Sequence, residues 1–178
     1  MKARAVRSFP ILATLLLAAL VVASPASAQN CAEAPLRMAE GFPANIVECG
    51  GSWNRNIVEA RGDHFKLHIE FLRGNFWYQP VEAYFKDASA FDGTSDWGDE
   101  EDAGRRFDYA TFRGDLNNDY TGVLSCVAIT RHSSPYEGRG LIAHHLVVGV
   151  YCDDSYGNGP VPEARIDQVI DAIEFDFE

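Results

Sequence analysis

Cys126 and Cys152 stand thirteen residues to either side of Arg139, and Arg139 is flanked by Gly138 and Gly140 in the segment EGRGL. This spacing limits the fold more than any other feature. If the two cysteines lie opposite each other on neighbouring antiparallel strands, the turn between them must centre on residue 139. The glycines there supply the positive φ that a three-residue hairpin loop requires. Turn chemistry and cysteine register are independent signals, and they place the hairpin at the same residue. Opposed residues at a non-hydrogen-bonded position sit about 4.5 Å apart at Cα, within the range a disulfide spans. The expected crosslinks are therefore Cys126–Cys152 and, for the remaining two cysteines, Cys31–Cys49. The same register sets Ser133 opposite His145 and Ser134 opposite His144.

The start of the chain explains why crosslinks are expected to form. Lys2, Arg4 and Arg7 precede an unbroken apolar run from Ile11 to Val22, and Pro25 is followed by small residues at Ala26 and Ala28. This is the pattern of a secretory leader, residues 1–28, with cleavage expected after Ala28 so that the exported chain begins at Gln29. An apolar run of this length is short of the roughly 20 residues a membrane span needs. Export to a periplasmic or extracellular space favours disulfides. The cysteines form no C-x-x-C pair, which argues against zinc and thioredoxin-like chemistry.

Residues 29–178 are expected to form a single disulfide-stabilised α+β domain. Three of the 15 basic residues lie in the leader and none of the 26 acids does, so the exported chain carries a formal charge of −14. A surface of that sign disfavours nucleic acid and anionic membrane as partners and suits a basic protein, a cation or a small ligand. Colloidal solubility alone is the plainer reading of the same charge.

FKLHIEF alternates, with Phe65, Leu67, Ile69 and Phe71 on one side and Lys66, His68 and Glu70 on the other, which predicts a half-buried strand. NIVEAR before it and FWYQPVEAYF after it read as further strands, with turns at GDH and RGN, and Pro80 confines the second to an edge or bulge. Asp87 to Gly104 reads as a solvated acidic loop whose carboxylates, Asp87 to Asp102, offer a binding surface. RRFDYATFR and VLSCVAIT are strands, and LIAHHLVVGVYC is apolar enough to be a central one. In PVPEARIDQVIDAIEF, Ile166, Val169, Ile170 and Ile173 fall on one helix face, with Asp167, Asp171 and Glu174 as an acidic stripe. Pro162 and Glu163 suit the first turn of that helix. The expected fold is two-layer α+β: an antiparallel sheet of about five or six strands, covered on one face by the C-terminal helix.

Three segments carry candidate chemistry. DLNNDYTG offers Asp115, Asn117 and Asp119 at the spacing of a calcium loop, but Tyr120 stands where that loop needs glycine and Cys126 where it needs a bidentate acid. Turn residues that bond their own backbone account for the same letters, and a calcium-stabilised envelope module is the third functional reading. Ser134 and His144, as cross-strand neighbours, are the candidate catalytic pair of a hydrolase, though no nucleophile elbow or orienting acid accompanies them. His132 and His144, diagonal on one face, supply only two metal ligands. The hairpin end, RHSSPYEGRGL, presents Tyr136 and Arg139, residue types enriched at binding hot spots, on a disulfide-braced base. The leading expectation is an exported, non-enzymatic binding or inhibitor-like protein without a cofactor, acting through that hairpin and the acidic loop.

Overall fold

The computed structural model describes residues 31, 34–85, 91–102, 107–116, 124–133 and 142–176, with 91–95, 115 and 116 described as backbone only. Its elements, in chain order, are β1 (Leu36–Met38), β2 (Ile46–Ser52), β3 (Arg55–Arg61), β4 (Phe65–Trp77), α1 (Val81–Phe85), β5 (Phe91–Ser95), β6 (Glu101–Asp102), β7 (Asp108–Leu116), β8 (Leu124–His132), β9 (Ile142–Asp153), α2 (Glu163–Asp171) and β10 (Ile173–Phe175). One antiparallel sheet runs in the order β2-β3-β4-β9-β8-β7-β5, with β6 also paired to β7. Strands β1 and β10 form a separate antiparallel pair. The sheet exceeds the five or six strands expected because β2 is an exposed edge strand and β5 and β6 lie in the acid-rich segment, and no apolar alternation marks any of the three.

The β8–β9 hairpin has the register set by residue 139. Pairing runs from Ser125↔Asp153 to His132↔Leu146, and the Ser133 amide donates to the His145 carbonyl at 3.1 Å one step further. Cys126 and Cys152 are directly paired, disulfide-bonded, and 4.1 Å apart at Cα. Cys31 and Cys49 form the second disulfide, at 5.5 Å, and tie the N-terminal segment to the edge strand β2.

Alternation along the strands divides the interior in two. On the first face, Phe65, Leu67, Ile69 and Phe71 of β4 pack with Val58, Val127, Val147 and Tyr151, and with Ile166, Val169 and Ile170 of α2. On the second, Val81 and Phe85 of α1 pack against Phe112, Ala128, Val150 and the Cys126–Cys152 bridge. Strand β9 therefore feeds both clusters, as its apolar sequence requires.

Three local expectations fail for physical reasons. RGN is no turn: β4 runs through it, with a register shift between Arg73 and Phe76. Gly and Asn serve a bulge as readily as a turn. VEAYF is a short helix, not a strand, because Pro80 suits a helix start and Val81 and Phe85 share one buried face. Helix α2 begins after Pro162 and ends at Asp171, shorter than its apolar pattern implies. Ile173 reaches the same core from β10, and Glu174 leaves the acidic stripe to pair with Arg37 at 2.6 Å.

On the second face of β3 and β4, His68 lies between two carboxylates, Nδ1 3.2 Å from Glu59 and Nε2 2.9 Å from Glu70, while Arg55 Nε donates to Glu70 at 2.8 Å. Burial opposes charge on Glu70, but the hydrogen bonds from His68 and Arg55 outweigh it and hold its pKa at about 2. Burial likewise opposes charge on His68, and Glu70 and Glu59 outweigh it and raise its pKa above the usual 6.5. The Glu70 contribution is present above its ordinary value of 4.5 and is lost as pH falls towards about 2. The His68 contribution is present below 6.5 and is lost as pH rises through its raised folded value. Urea unfolding of Glu70→Gln is therefore expected to show about 1–2 kcal/mol of lost stability near pH 5–6, discounted for the exposure of Arg55, and almost none near pH 2. A loss that stayed constant across that range would contradict the network.

Candidate functional site

The end of the sheet from which the β8–β9 connection springs gathers aromatic and histidine side chains. Strand β4 continues past its pairing with β3, and Trp77 there pairs with Ile142 of β9. Helix α1 then returns over the second face and brings Tyr84 to His132 of β8, with Tyr84 Oη 2.8 Å from His132 Nε2. The same hydroxyl lies 2.8 Å from the Trp77 carbonyl, which can only accept. The single phenolic proton therefore goes to Trp77, and His132 Nε2–H donates to Tyr84. Rings of Tyr78 and Tyr84 flank the imidazole at 5.5 and 5.9 Å. Burial, aided by the charge of Arg131, lowers the His132 pKa and keeps the ring neutral at pH 7.

Part of the acidic segment supports this arrangement. Glu100 accepts from Tyr78 Oη at 3.0 Å and from the Val81 amide at 2.7 Å, so it holds the start of α1 against the sheet. Glu101 accepts from Tyr109 Oη at 2.7 Å, and burial together with that bond pushes the phenol up to about 12. Burial and the neighbouring Glu100 and Asp102 raise Asp108. The segment expected to be a solvated loop thus contains β5, β6 and carboxylates that bond the fold, while Asp96 and Asp99 are exposed.

Among the described residues, six large apolar side chains are exposed. Four of them, Trp53 (79%), Trp77 (60%), Ile142 (38%) and Tyr78 (37%), lie at this end of the sheet. Trp53 occupies the β2–β3 turn, whose backbone is held by Arg73: the Arg73 amide donates to the Asn54 carbonyl at 2.9 Å and its Nη1 to the Trp53 carbonyl at 3.2 Å. Exposed apolar area concentrated in one region marks interaction surfaces, whereas scattered single residues do not.

Comparison of the chain with protein-family models, with characterised proteins and with solved structures finds no match in any of the three. The chemistry of this surface therefore has to be read from its own residues.

His144 lies on β9 with its Nδ1 3.2 Å from Asn75 Oδ1, in the bulge of β4. His145 faces the other way and stacks on Phe71 at 5.5 Å, its pKa lowered by burial and by Arg73 and His144. His132 and His144 thus each have a hydrogen-bond partner of their own. Among the described residues no cluster of three or more His, Cys, Asp or Glu is arranged to hold a metal. Ser134, Tyr136 and Arg139, like Asn117 and Asp119, lie outside the described residues. Asp115 is in β7, its backbone paired with Asp92 of β5.

Sequence reasoning missed Trp53, Trp77, Tyr78 and Tyr84 as members of one surface. The only local signal was Pro80, which marks a helix start and so turns the chain back over the sheet.

Proposed function

We propose that the protein is an exported binding protein that engages its partner through the end of the sheet bearing Trp77, Tyr78 and Ile142, together with Tyr136 and Arg139 of the hairpin connection. The two disulfides suit an oxidising compartment. The observation that carries the reading is the concentration of exposed aromatic and aliphatic side chains at this end of the sheet, with Ile142 on β9 paired to Trp77 on the neighbouring β4. Tyrosine and tryptophan supply large contact area with little rotamer entropy to lose. A base locked by Cys126–Cys152 lowers the ordering cost of any contact made there. The partner is a basic protein or a small ligand, in keeping with the formal charge of −14 and with exposed Asp96 and Asp99 beside Glu100.

A hydrolase using Ser134 and His144 is the second reading, and one observation favours it. The Asn75 amide oxygen accepts from His144 Nδ1–H, leaving Nε2 as the basic nitrogen. An amide can orient a catalytic imidazole in this way.

Affinity capture from the envelope fraction and turnover of a chromogenic acyl ester separate the two readings. In the binding reading, Tyr136→Ala and Arg139→Ala weaken capture by more than about 1 kcal/mol, and Ser134→Ala leaves it unchanged. Their effect on stability is within about 0.5 kcal/mol. Turnover that disappears in Ser134→Ala, with capture indifferent to both tip substitutions, would replace binding by hydrolysis.

A further inference from the structure

A groove of about 570 Å³ lies at the opposite end of the sheet, between the start of β4, the segment after β9 and the first turns of α2. Its volume falls in the range of small-ligand sites. Arg165 forms part of its wall. The guanidinium lies over three rings, 5.1 Å from Phe65, 5.1 Å from Tyr151 and 5.8 Å from Phe42. Nε donates to Tyr151 Oη at 2.8 Å, and Nη1 donates to Gln168 Oε1 at 2.5 Å. Tyr151 in turn donates to Asp153, whose other oxygen accepts from the Ser155 amide at 2.9 Å and from the Ser155 hydroxyl.

Among the described residues, the Arg165 charge is met by a phenol, an amide and aromatic faces, not by a carboxylate. Its Nη2 hydrogens have no acceptor among the described residues. In a chain with 26 acids, a cation fixed in place without an acidic partner is unexpected on structural grounds alone. The rings and the two hydrogen bonds hold the fork in one orientation, the pre-organised form that recognises a carboxylate.

The remaining wall selects what accompanies that carboxylate. Asp63 and Asp153 also line the groove. A simple anion on Arg165 faces the two carboxylates, and a simple cation beside the carboxylates leaves the Arg165 guanidinium unmet. A molecule carrying both charges satisfies both walls. We infer that this groove binds a small zwitterion of the α-amino-acid class, its carboxylate on Arg165 and its ammonium towards Asp63.

Gln168→Glu tests the assignment without removing packing. Gln168 is exposed on α2, three residues from Arg165. A carboxylate there occupies the guanidinium from within the chain and competes with the ligand. Isothermal titration of the exported protein with L-leucine and L-glutamate, and with acetate and methylamine as single-charge probes, is expected to give saturable binding of at least one amino acid and of neither control. Gln168→Glu is expected to weaken that binding about tenfold or more while the melting temperature is kept or raised. No saturation by either amino acid up to about 10 mM, acetate binding as well as the amino acids, or binding indifferent to Gln168→Glu would each overturn the inference.

Discussion

Replacing Cys126 and Cys152 together by alanine is expected to cost about 3–4 kcal/mol of stability. The bridge closes a loop with a sequence separation of 26, and the chain-entropy estimate for that length gives this range. For a domain of this size the loss corresponds to a fall in melting temperature on the order of 10 °C. The crosslink also sits inside a core cluster, between the α1 residues Val81 and Phe85 and the strand residues Phe112 and Val150. The alanine pair therefore removes buried sulfur as well as a constraint on the unfolded chain. Differential scanning calorimetry of the oxidised protein and the double variant measures it directly. A difference below about 2 °C would mean that the β8–β9 register is held without the bridge.

Tyr151→Phe is expected to cost about 2–3 kcal/mol, although it removes a single oxygen. Tyr151 is fully buried and Asp153 nearly so. The phenol donates to Asp153 and accepts from Arg165, so its loss leaves a buried carboxylate oxygen and a guanidinium N–H without partners at once. Charge-assisted bonds of this kind contribute about 1.5–3 kcal/mol, and a buried polar group left unsatisfied costs its full desolvation. Burial and the bond to Asp153 hold the phenol pKa well above its ordinary value, against a lesser pull from Arg165. It therefore stays a donor throughout the neutral range. Chemical denaturation of the variant checks the magnitude, and a loss under about 0.5 kcal/mol would show that the hydroxyl's two partners are satisfied without it.

How far the fold can be read from the letters depends on whether its determinants are local. The hairpin register was legible because two cysteines and a glycine-flanked turn fix it within 27 residues, with no knowledge of the rest of the sheet. The alternation of β4 and the apolar run of β9 were legible because burial on one face or on both leaves a period. Helix α2 was legible in place but not in length, since Ile173 continues the apolar period while belonging to β10. Strands β5 and β6 were hidden in SDWGDEED and its surroundings, where strand pairing is imposed by β7 and leaves no periodic trace. The sites fared worse. Tyr84 meets His132 across 48 residues and Arg165 meets Tyr151 across 14, and nothing in either segment announces the other. Asn75 read as a turn residue because the bulge that aims it at His144 arises from pairing with β9.

The most direct test of the binding reading is the affinity of the captured partner for the wild-type protein and for Trp77→Ala. The Trp77 side chain is 60% exposed, and its only hydrogen bond to Tyr84 is made by the backbone carbonyl, which the substitution retains. Stability is therefore expected to change by less than about 0.5 kcal/mol. Affinity is expected to fall by at least about tenfold, the loss typical of a tryptophan at the centre of an interface. An unchanged affinity in a variant with an unchanged melting temperature would contradict the assignment of this end of the sheet as the binding surface.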